Sequence, residues 1–124
     1  MTLPPREFEE LVASLLERFG YTVRLGPRGR DGGVDIFAER TTAVGFDLTL
    51  VQCKRNAAER KVTQPLIKQF HNEVQDRQAT RGLFVTTSAF TAAALQYIES
   101  KRCRLSGADF EKLREWVARL RAGP

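Results

Sequence analysis

The sequence has few of the residues from which disulfide frameworks and soft-metal sites are built. It contains two cysteines, Cys53 and Cys103, and one histidine, His71, and the two cysteines show no metal-ligand spacing. Cys53 lies in an apolar run, where a reduced thiol packs as a small hydrophobic group. No residue near His71 in the sequence suggests a metal-binding or catalytic partner, so His71 is predicted to be structural or exposed.

Long hydrophobic runs and an N-terminal signal peptide are absent as well. A membrane-spanning helix needs about 20 consecutive apolar residues, so we expect a cytoplasmic protein that does not span a membrane. The 124 residues fit one compact domain, which at this size can fold without a disulfide or a metal.

Negative charge is the minority charge of the chain. There are 20 Lys and Arg residues against 15 Asp and Glu residues, which gives a formal net charge of +5. This excess is compatible with a polyanionic partner, and arginine, which outnumbers lysine 15 to 5, suits phosphate contacts. A GC-rich genome produces the same arginine bias, so both explanations stay open.

Hydrophobic periodicity divides the chain into alternating helices and strands. The predicted elements are a helix over 4–19, strands over 21–25, 34–39 and 47–54, a helix over 63–77, a strand over 82–87, a helix after Thr91, a short strand near 102–105, and a last helix that buries Phe110, Leu113, Trp116, Val117 and Leu120. Residues 26–33 form a polar, glycine-rich loop, residues 41–45 form a turn, and Ser106 and Gly107 turn the chain into the last helix.

The order of these elements predicts an α/β fold. The first three strands can pair as a meander, whereas the fourth follows a helical crossover and can lie parallel to its neighbour. We therefore expect a mixed central sheet of four to five strands, flanked by helices on both faces.

Polar residues at the ends of two neighbouring strands carry the chemical signal. Gln52 and Lys54 are two positions apart in one strand, so their side chains share a face and lie roughly 7 Å apart. Asp35 begins the preceding strand and, counted from the turn, reaches the same end. A carboxylate and an amide oxygen suit a hard divalent cation, and a lysine can orient a phosphate or a water molecule. This combination predicts metal-assisted phosphodiester hydrolysis.

Each of these residues also has an ordinary structural explanation. Asp35 follows two glycines and could cap a turn, while Gln52 and Lys54 could be solvated residues at a strand end. A purely structural explanation accounts for either strand residue alone better than for both together. Leu48 and Leu50 make the same strand face apolar, and Gln52 and Lys54 turn it polar at its end.

Four segments of the chain, in this order, resemble the Mrr-type branch of the PD-(D/E)xK restriction-endonuclease-like nucleases. They are Phe8-Glu9 in the first helix, Gly32-Gly33-Val34-Asp35, Val51-Gln52-Cys53-Lys54-Arg55, and residues 84–91. The resemblance covers nearly the whole chain and implies a restriction-endonuclease-like core, a DNA substrate and cleavage that depends on Mg²⁺, for which Mn²⁺ would substitute.

The resemblance also assigns roles to individual residues. Asp35, Gln52 and Glu9 would bind the metal, and Lys54 would position or activate the attacking water. Val34 replaces the motif proline, and Gln52 stands where most of the superfamily has an acid, so we expect weaker metal binding. Glu10 is the alternative to Glu9, and Glu39 is a weaker candidate.

Five further residues are candidates for DNA contacts. They are Arg28 and Arg30 in the glycine-rich loop, Arg55, Lys61 and Thr87. Arginine and lysine bind the phosphate backbone, and a threonine at a helix start can hold a phosphate. Each basic residue could equally be a solvated surface charge, and capping the helix is the favoured role of Thr87.

The sequence therefore predicts that residues 1–124 form a single Mrr-like nuclease domain without a separate DNA-recognition domain. The predicted function is a metal-dependent DNA endonuclease. The alternatives are a Holliday-junction-resolvase-like nuclease and a catalytically silent DNA-binding module. A homodimer and a separate specificity subunit or domain are further hypotheses about partners, because duplex cleavage usually needs two active sites.

Overall fold

A computed structural model describes residues 3–27 and 33–123 of the chain. Its elements are α1 (Pro5–Arg18), β1 (Thr22–Leu25), β2 (Ile36–Thr42), β3 (Gly45–Lys54), α2 (Gln64–Asp76), β4 (Arg81–Thr86), α3 (Ala92–Ser100), β5 (Leu105–Ala108) and α4 (Phe110–Ala122). Arg28 and Arg30, two of the predicted DNA contacts, lie outside the described residues. None of the helices in the described ranges has the length and apolar composition needed to cross a bilayer.

The strands form one mixed sheet in the order β1-β2-β3-β4-β5. The first three strands are antiparallel, and β4 and β5 each add in parallel. Parallel neighbours need a crossover, which α2 supplies between β3 and β4 and α3 between β4 and β5. The predicted mixed α/β sheet with a meander followed by helical crossovers is therefore confirmed.

Helices cover both faces of the sheet, each over its own hydrophobic cluster. On one face, α1 buries Phe8, Val12 and Leu16 against the sheet, and α4 adds Leu113. On the other face, α2 and α3 pack on the side of Leu50 and Phe84, with Phe70 of α2 meeting the Phe84 ring edge to face. The middle of β3 and nearly all of β4 are buried on both faces, as expected for strands covered by crossover helices.

The structure corrects the prediction at the end of the chain. β5 runs over Leu105–Ala108, so Ser106 and Gly107 lie within a strand rather than in a turn. A side chain at Gly107 would come within 3.0 Å of Ile98 and Phe90, which shows how closely α3 packs over this strand. The following helix begins at Phe110, where the Asp109 carboxylate accepts a hydrogen bond from the Lys112 N–H.

The apolar face of α4 is also less buried than its sequence pattern predicted. Of the five residues expected to be buried, only Leu113 is, whereas Phe110 is 38% exposed. Trp116, Val117 and Leu120 are partly buried against the α1 cluster. His71, in contrast, is buried, and its Nδ1 lies 2.7 Å from the Tyr97 hydroxyl, which fits the predicted structural role.

Gly82 sets the distance between α2 and the sheet. A Cβ built at Gly82 would lie 2.5 Å from Val74 Cγ2 and 2.8 Å from Phe70 Cε2. Overpacking a core costs about 1–3 kcal/mol, so we expect Gly82→Ala to lower the free energy of unfolding by that amount in urea denaturation. Thr22→Ala, on the exposed side of β1, is the control. Equal unfolding midpoints for wild type and Gly82→Ala would contradict this account of the packing.

Candidate active site

Asp35 lies one residue before β2 and is held by hydrogen bonds to both neighbouring strands. Its N–H donates to the Val51 carbonyl at 2.8 Å, and its carbonyl accepts from the Gly26 N–H at 2.7 Å. Its carboxylate oxygen Oδ2 accepts from the Cys53 N–H at 2.7 Å. Because Ile36 pairs with Val51, continuing the antiparallel register by one residue brings Asp35 opposite Gln52. The sequence had placed Asp35 inside the strand; the strand begins one residue later.

Helix α1 brings a second carboxylate to Asp35. Glu9 has a side chain that is only 16% exposed, and its Oε1 lies 2.9 Å from Nη1 of Arg6. The Glu9 carboxyl group is in hydrogen-bonding contact with that of Asp35. The alternative candidate on α1, Glu10, is exposed. Glu39 pairs with Leu48 in the middle of the β2–β3 ladder, so four strand positions, about 13 Å, separate it from Asp35.

This carboxylate pair is electrostatically unfavourable. Burial raises the pKa of Asp35 from 3.8 to about 6, the hydrogen bond from the Cys53 N–H opposes that rise, and the charge of Glu9 adds to it. Burial, together with the charges of Asp35 and Glu9, also raises the pKa of the Cys53 thiol. Cys53 therefore remains a protonated, packed thiol at neutral pH, and the repulsion between carboxylates is what a bound cation would relieve.

The Gln52 amide lies beside Gly33, two residues before Asp35. Gly33 has a positive φ of +81°, and a Cβ there would lie 3.0–3.1 Å from the amide oxygen, carbon and nitrogen of Gln52. The absence of a side chain at Gly33 thus leaves room for the Gln52 amide beside the main chain. Two carboxylates and an amide are all-oxygen donors, the set that Mg²⁺ prefers. The described residues contain no cluster of three acidic, histidine or cysteine side chains that could hold a metal ion, and the Gln52 amide beside Asp35 is neutral.

Lys54 is the last residue of β3 and is exposed. It stands beside Thr86 of β4 in the parallel register, and its carbonyl accepts from the Thr87 N–H at 3.3 Å. Within residues 3–27 and 33–123, the Lys54 ammonium makes no ion pair, so its charge is not neutralised by a described neighbour. The strand therefore ends in a free cation two residues beyond Gln52.

The segment after Lys54 is fastened to the end of β4, which corrects one predicted DNA contact. The Thr87 hydroxyl donates to the Asn56 carbonyl at 2.7 Å and accepts from the Asn56 N–H at 2.9 Å. Thr87 is buried, and its hydroxyl is fully used in holding the segment, so it does not present a group to DNA. It does not cap the helix either, because the N-cap of α3 is Thr91.

The two remaining basic candidates lie on this fastened segment. Arg55 and Lys61 are both exposed, and Arg55 follows Lys54 directly. The Ser88 hydroxyl adds a second tie by donating to the Ala58 carbonyl at 2.9 Å. The sequence pattern did not indicate Asn56, because Asn56 holds the segment through its main-chain N–H and carbonyl rather than through its side chain. Sequence reasoning also missed Arg6, although the spacing of Arg6 three positions before Glu9 on a helix was a usable signal.

A mixed α/β sheet with an acid before its second strand, a Gln-x-Lys pair on its third and a glutamate on its first helix is a restriction-endonuclease-like core. The chain belongs to the Mrr_cat restriction endonuclease family, whose model matches residues 1–117.

Known proteins resemble the chain in both sequence and structure. It is 32% identical over 106 residues to the type IV methyl-directed restriction enzyme EcoKMrr of Escherichia coli (strain K12), a match that covers 81% of this chain and 34% of that enzyme. The DNA modification-dependent restriction endonuclease AspBHI superposes with a TM-score of 0.73 at 17% identity, over 91% of this chain and 30% of AspBHI.

A third similar structure is the restriction endonuclease MspJI in complex with a 27-mer oligonucleotide. Its TM-score is 0.70 at 20% identity, and the match covers 91% of this chain and 27% of MspJI. The chain thus spans about a third of the length of these relatives.

Asp35 is predicted to make the folded state less stable at alkaline pH. Its pKa in the folded protein, about 6, lies above the unfolded value of 3.8, so ionisation weakens the fold as the pH rises through about 6. Asparagine keeps an acceptor for the Cys53 N–H but carries no charge. We expect Asp35→Asn to raise the free energy of unfolding by about 1 kcal/mol at pH 8, after allowance for partial solvent exposure.

The gain should shrink as the pH falls from about 6 toward 3.8, since the wild-type carboxyl group is then neutral too. Thermal or urea unfolding at pH 8 and pH 4 measures it. Asp47→Asn, which removes an acid from the other end of β3, is the control and should show no such gain. If Asp35→Asn were less stable than wild type at pH 8, the charged Asp35 carboxylate would not be destabilised by burial and by Glu9, which would contradict this account.

Proposed function

We propose that this chain is a metal-dependent endonuclease domain that hydrolyses phosphodiester bonds in DNA. The observation that carries the proposal is the contact between the partly buried Asp35 carboxyl group and Glu9, next to the strand that supplies Gln52 and Lys54. Placing two carboxylates in contact costs stability, and proteins tolerate such costs chiefly at functional sites. Membership of a restriction endonuclease family supports the same conclusion.

Asp35, Glu9 and the Gln52 amide oxygen would hold Mg²⁺, and Mn²⁺ would substitute. A bound Mg²⁺ would supply positive charge for a phosphate oxygen and lower the pKa of a bound water. The protein prepares the ligands: the Cys53 and Val51 main chains fix Asp35, and Gly33 leaves room for the amide. With one neutral donor, the affinity is expected to be lower than that of a site with three carboxylates.

Lys54 is proposed to act on the substrate side of the site. Its ammonium ends the strand two positions after Gln52 and is exposed, so it can approach a phosphate. A fixed positive charge there stabilises the negative charge that develops on the phosphate oxygens during hydrolysis. It can also orient the attacking water by hydrogen bonding.

Arg55 and Lys61 are proposed to bind the DNA backbone beside the site. Both are exposed on the segment that Thr87 and Ser88 fasten to β4, so they approach DNA from a held position. Phosphate contacts position a duplex without reading its sequence. Two of the relatives are named for action on methylated or modified DNA, and we propose that any such selectivity of this chain requires a separate specificity subunit or domain. A homodimer would supply two active sites for duplex cleavage.

The site predicts a specific pattern of activity among variants. We expect wild type to nick supercoiled plasmid with Mg²⁺ or Mn²⁺, and we expect Asp35→Ala, Lys54→Ala and Glu9→Gln each to lose about 100-fold or more of the rate, since each removes a charge that the reaction requires. Glu10→Gln, the neighbouring exposed acid on α1, is the matched control and should keep the wild-type rate.

Equal cleavage by all variants would show that the activity resides elsewhere or in a contaminant. If no variant, wild type included, cleaves while salt-dependent DNA binding is retained, the chain is a catalytically silent DNA-binding module. Branched and linear duplexes tested side by side separate a junction-resolving nuclease from a restriction-like one, because only the former prefers the branched substrate.

If Arg55 and Lys61 contact the DNA backbone, removing either of them should change the salt dependence of DNA binding. Each phosphate contact that is lost lowers the slope of log K against log salt by roughly 0.9. We expect this decrease for Arg55→Ala and for Lys61→Ala in fluorescence anisotropy, for any DNA sequence. Lys112→Ala, on α4 and 3.5 Å from Glu115, serves as the control. An unchanged slope for Arg55→Ala and Lys61→Ala would remove this segment from the DNA interface.

A further inference from the structure

Arg6 lies beside the carboxylate pair and contacts both segments that build it. Its Nη1 is 2.9 Å from Glu9 Oε1 and 3.3 Å from the Gly26 carbonyl. The Gly26 N–H, in turn, holds the Asp35 carbonyl at 2.7 Å. A single guanidinium thus joins the first turn of α1 to the residue that supports Asp35.

The Arg6–Glu9 pair differs from the other ion pairs at this spacing. Its side chains are 28% and 16% exposed, whereas those of the three other pairs that the structure describes at this spacing, Arg102–Glu99, Arg114–Glu111 and Lys112–Glu115, are 49–77% exposed. Exposed pairs contribute little because water screens them. Of these four pairs with the same sequence spacing, Arg6–Glu9 is the least exposed and is therefore the least screened by water.

The position of Arg6 is also unfavourable for the helix itself. It stands in the first turn of α1, where the helix dipole favours acids and disfavours a positive charge. In the two exposed arginine pairs the glutamate precedes the arginine, which is the order that suits the dipole, whereas the exposed Lys112–Glu115 pair has the same order as Arg6–Glu9. Stabilising the helix therefore does not explain Arg6, whereas the negative charge of the neighbouring carboxylates does.

From these contacts we infer that Arg6 is the resident counter-ion of the carboxylate pair and exchanges with the divalent cation. In the metal-free protein its guanidinium neutralises Glu9 and keeps the side chain at the site. When a cation binds, Glu9 turns from Arg6 to the metal, and the released guanidinium becomes free to face the solvent or a phosphate. This inference rests on the proposed function, because it presupposes the metal site at Asp35 and Glu9.

Exchange has two consequences of opposite sign. Removing the charge of Arg6 leaves the carboxylates without their counter-ion, so the metal-free protein becomes less stable. The same change removes a competitor for Glu9 and a positive charge near the cation, so the cation binds more tightly. A residue that merely positions Glu9 for the metal would instead weaken cation binding when removed.

The test compares Arg6→Gln with wild type in two measurements that need no catalytic activity. Without metal, we expect the melting temperature to fall by about 2–4 °C. With Mn²⁺ alone, the free-ion signal in electron paramagnetic resonance gives the dissociation constant, which we expect to decrease by roughly tenfold. Arg6→Lys keeps the charge and should stay close to wild type in both.

Two controls separate exchange at Glu9 from a general effect of net charge. Arg18→Gln makes the same charge change at the far end of α1 and should leave the Mn²⁺ affinity unchanged. In a Glu9→Gln background, where the carboxylate that Arg6 contacts is gone, Arg6→Gln should no longer tighten binding by releasing Glu9. The difference between the two backgrounds measures the coupling of Arg6 and Glu9.

The outcomes distinguish failure of this inference from failure of the proposed site. If wild type binds Mn²⁺ at Asp35 and Glu9 but Arg6→Gln binds it equally or more weakly, Arg6 is no exchanging counter-ion while the metal site stands. Equal tightening by Arg18→Gln, or in the Glu9→Gln background, likewise overturns the exchange. If wild type and Arg6→Gln both fail to bind Mn²⁺, the metal site and the exchange fall together.

Discussion

The hydrogen bond from the Cys53 N–H to the Asp35 carboxylate joins the sheet to the site. In an antiparallel ladder a main-chain carbonyl normally accepts from such an N–H, but here a side chain takes that place. The carboxylate is therefore fixed by the pairing of β2 with β3, and it cannot turn away from Glu9 without losing this partly buried hydrogen bond. The adjacent Gly26 and Val51 contacts hold the main chain of Asp35 in the same way.

Three further features of the site surround the fixed Asp35 carboxylate. Burial and Glu9 raise the pKa of Asp35 to about 6, Arg6 supplies a positive charge at 2.9 Å from Glu9, and Gly33 yields space to the Gln52 amide. Burial and the contact with Glu9 are costly for stability, and Arg6 offsets part of that cost. Together these features make an oxygen-lined position with two carboxylates at the end of a well-packed sheet, and the proposed cation would relieve the repulsion that remains.

The sequence predicted the architecture well because long amphipathic segments and strand alternation are local signals. Helices α1 and α2, the first four strands and the parallel crossovers all follow from periodicity. The errors arose where tertiary packing decides. Ser106 and Gly107 have the composition of a turn, yet close packing of α3 makes them a strand, and Thr87 is taken up by Asn56. Asp35 and Lys54 were predicted from spacing, whereas the contacts of Arg6 and Gly33 are visible only in three dimensions.

The central claim is that Asp35 and Glu9 form a divalent cation site. Anomalous diffraction from crystals grown with Mn²⁺, recorded at the manganese absorption edge, tests it most directly. The account predicts one strong peak within ligand distance of the Asp35 and Glu9 carboxylates, with the Gln52 amide oxygen as a neighbour and the Arg6 guanidinium withdrawn from Glu9. A peak only at other surface carboxylates, or none at saturating Mn²⁺, would contradict it.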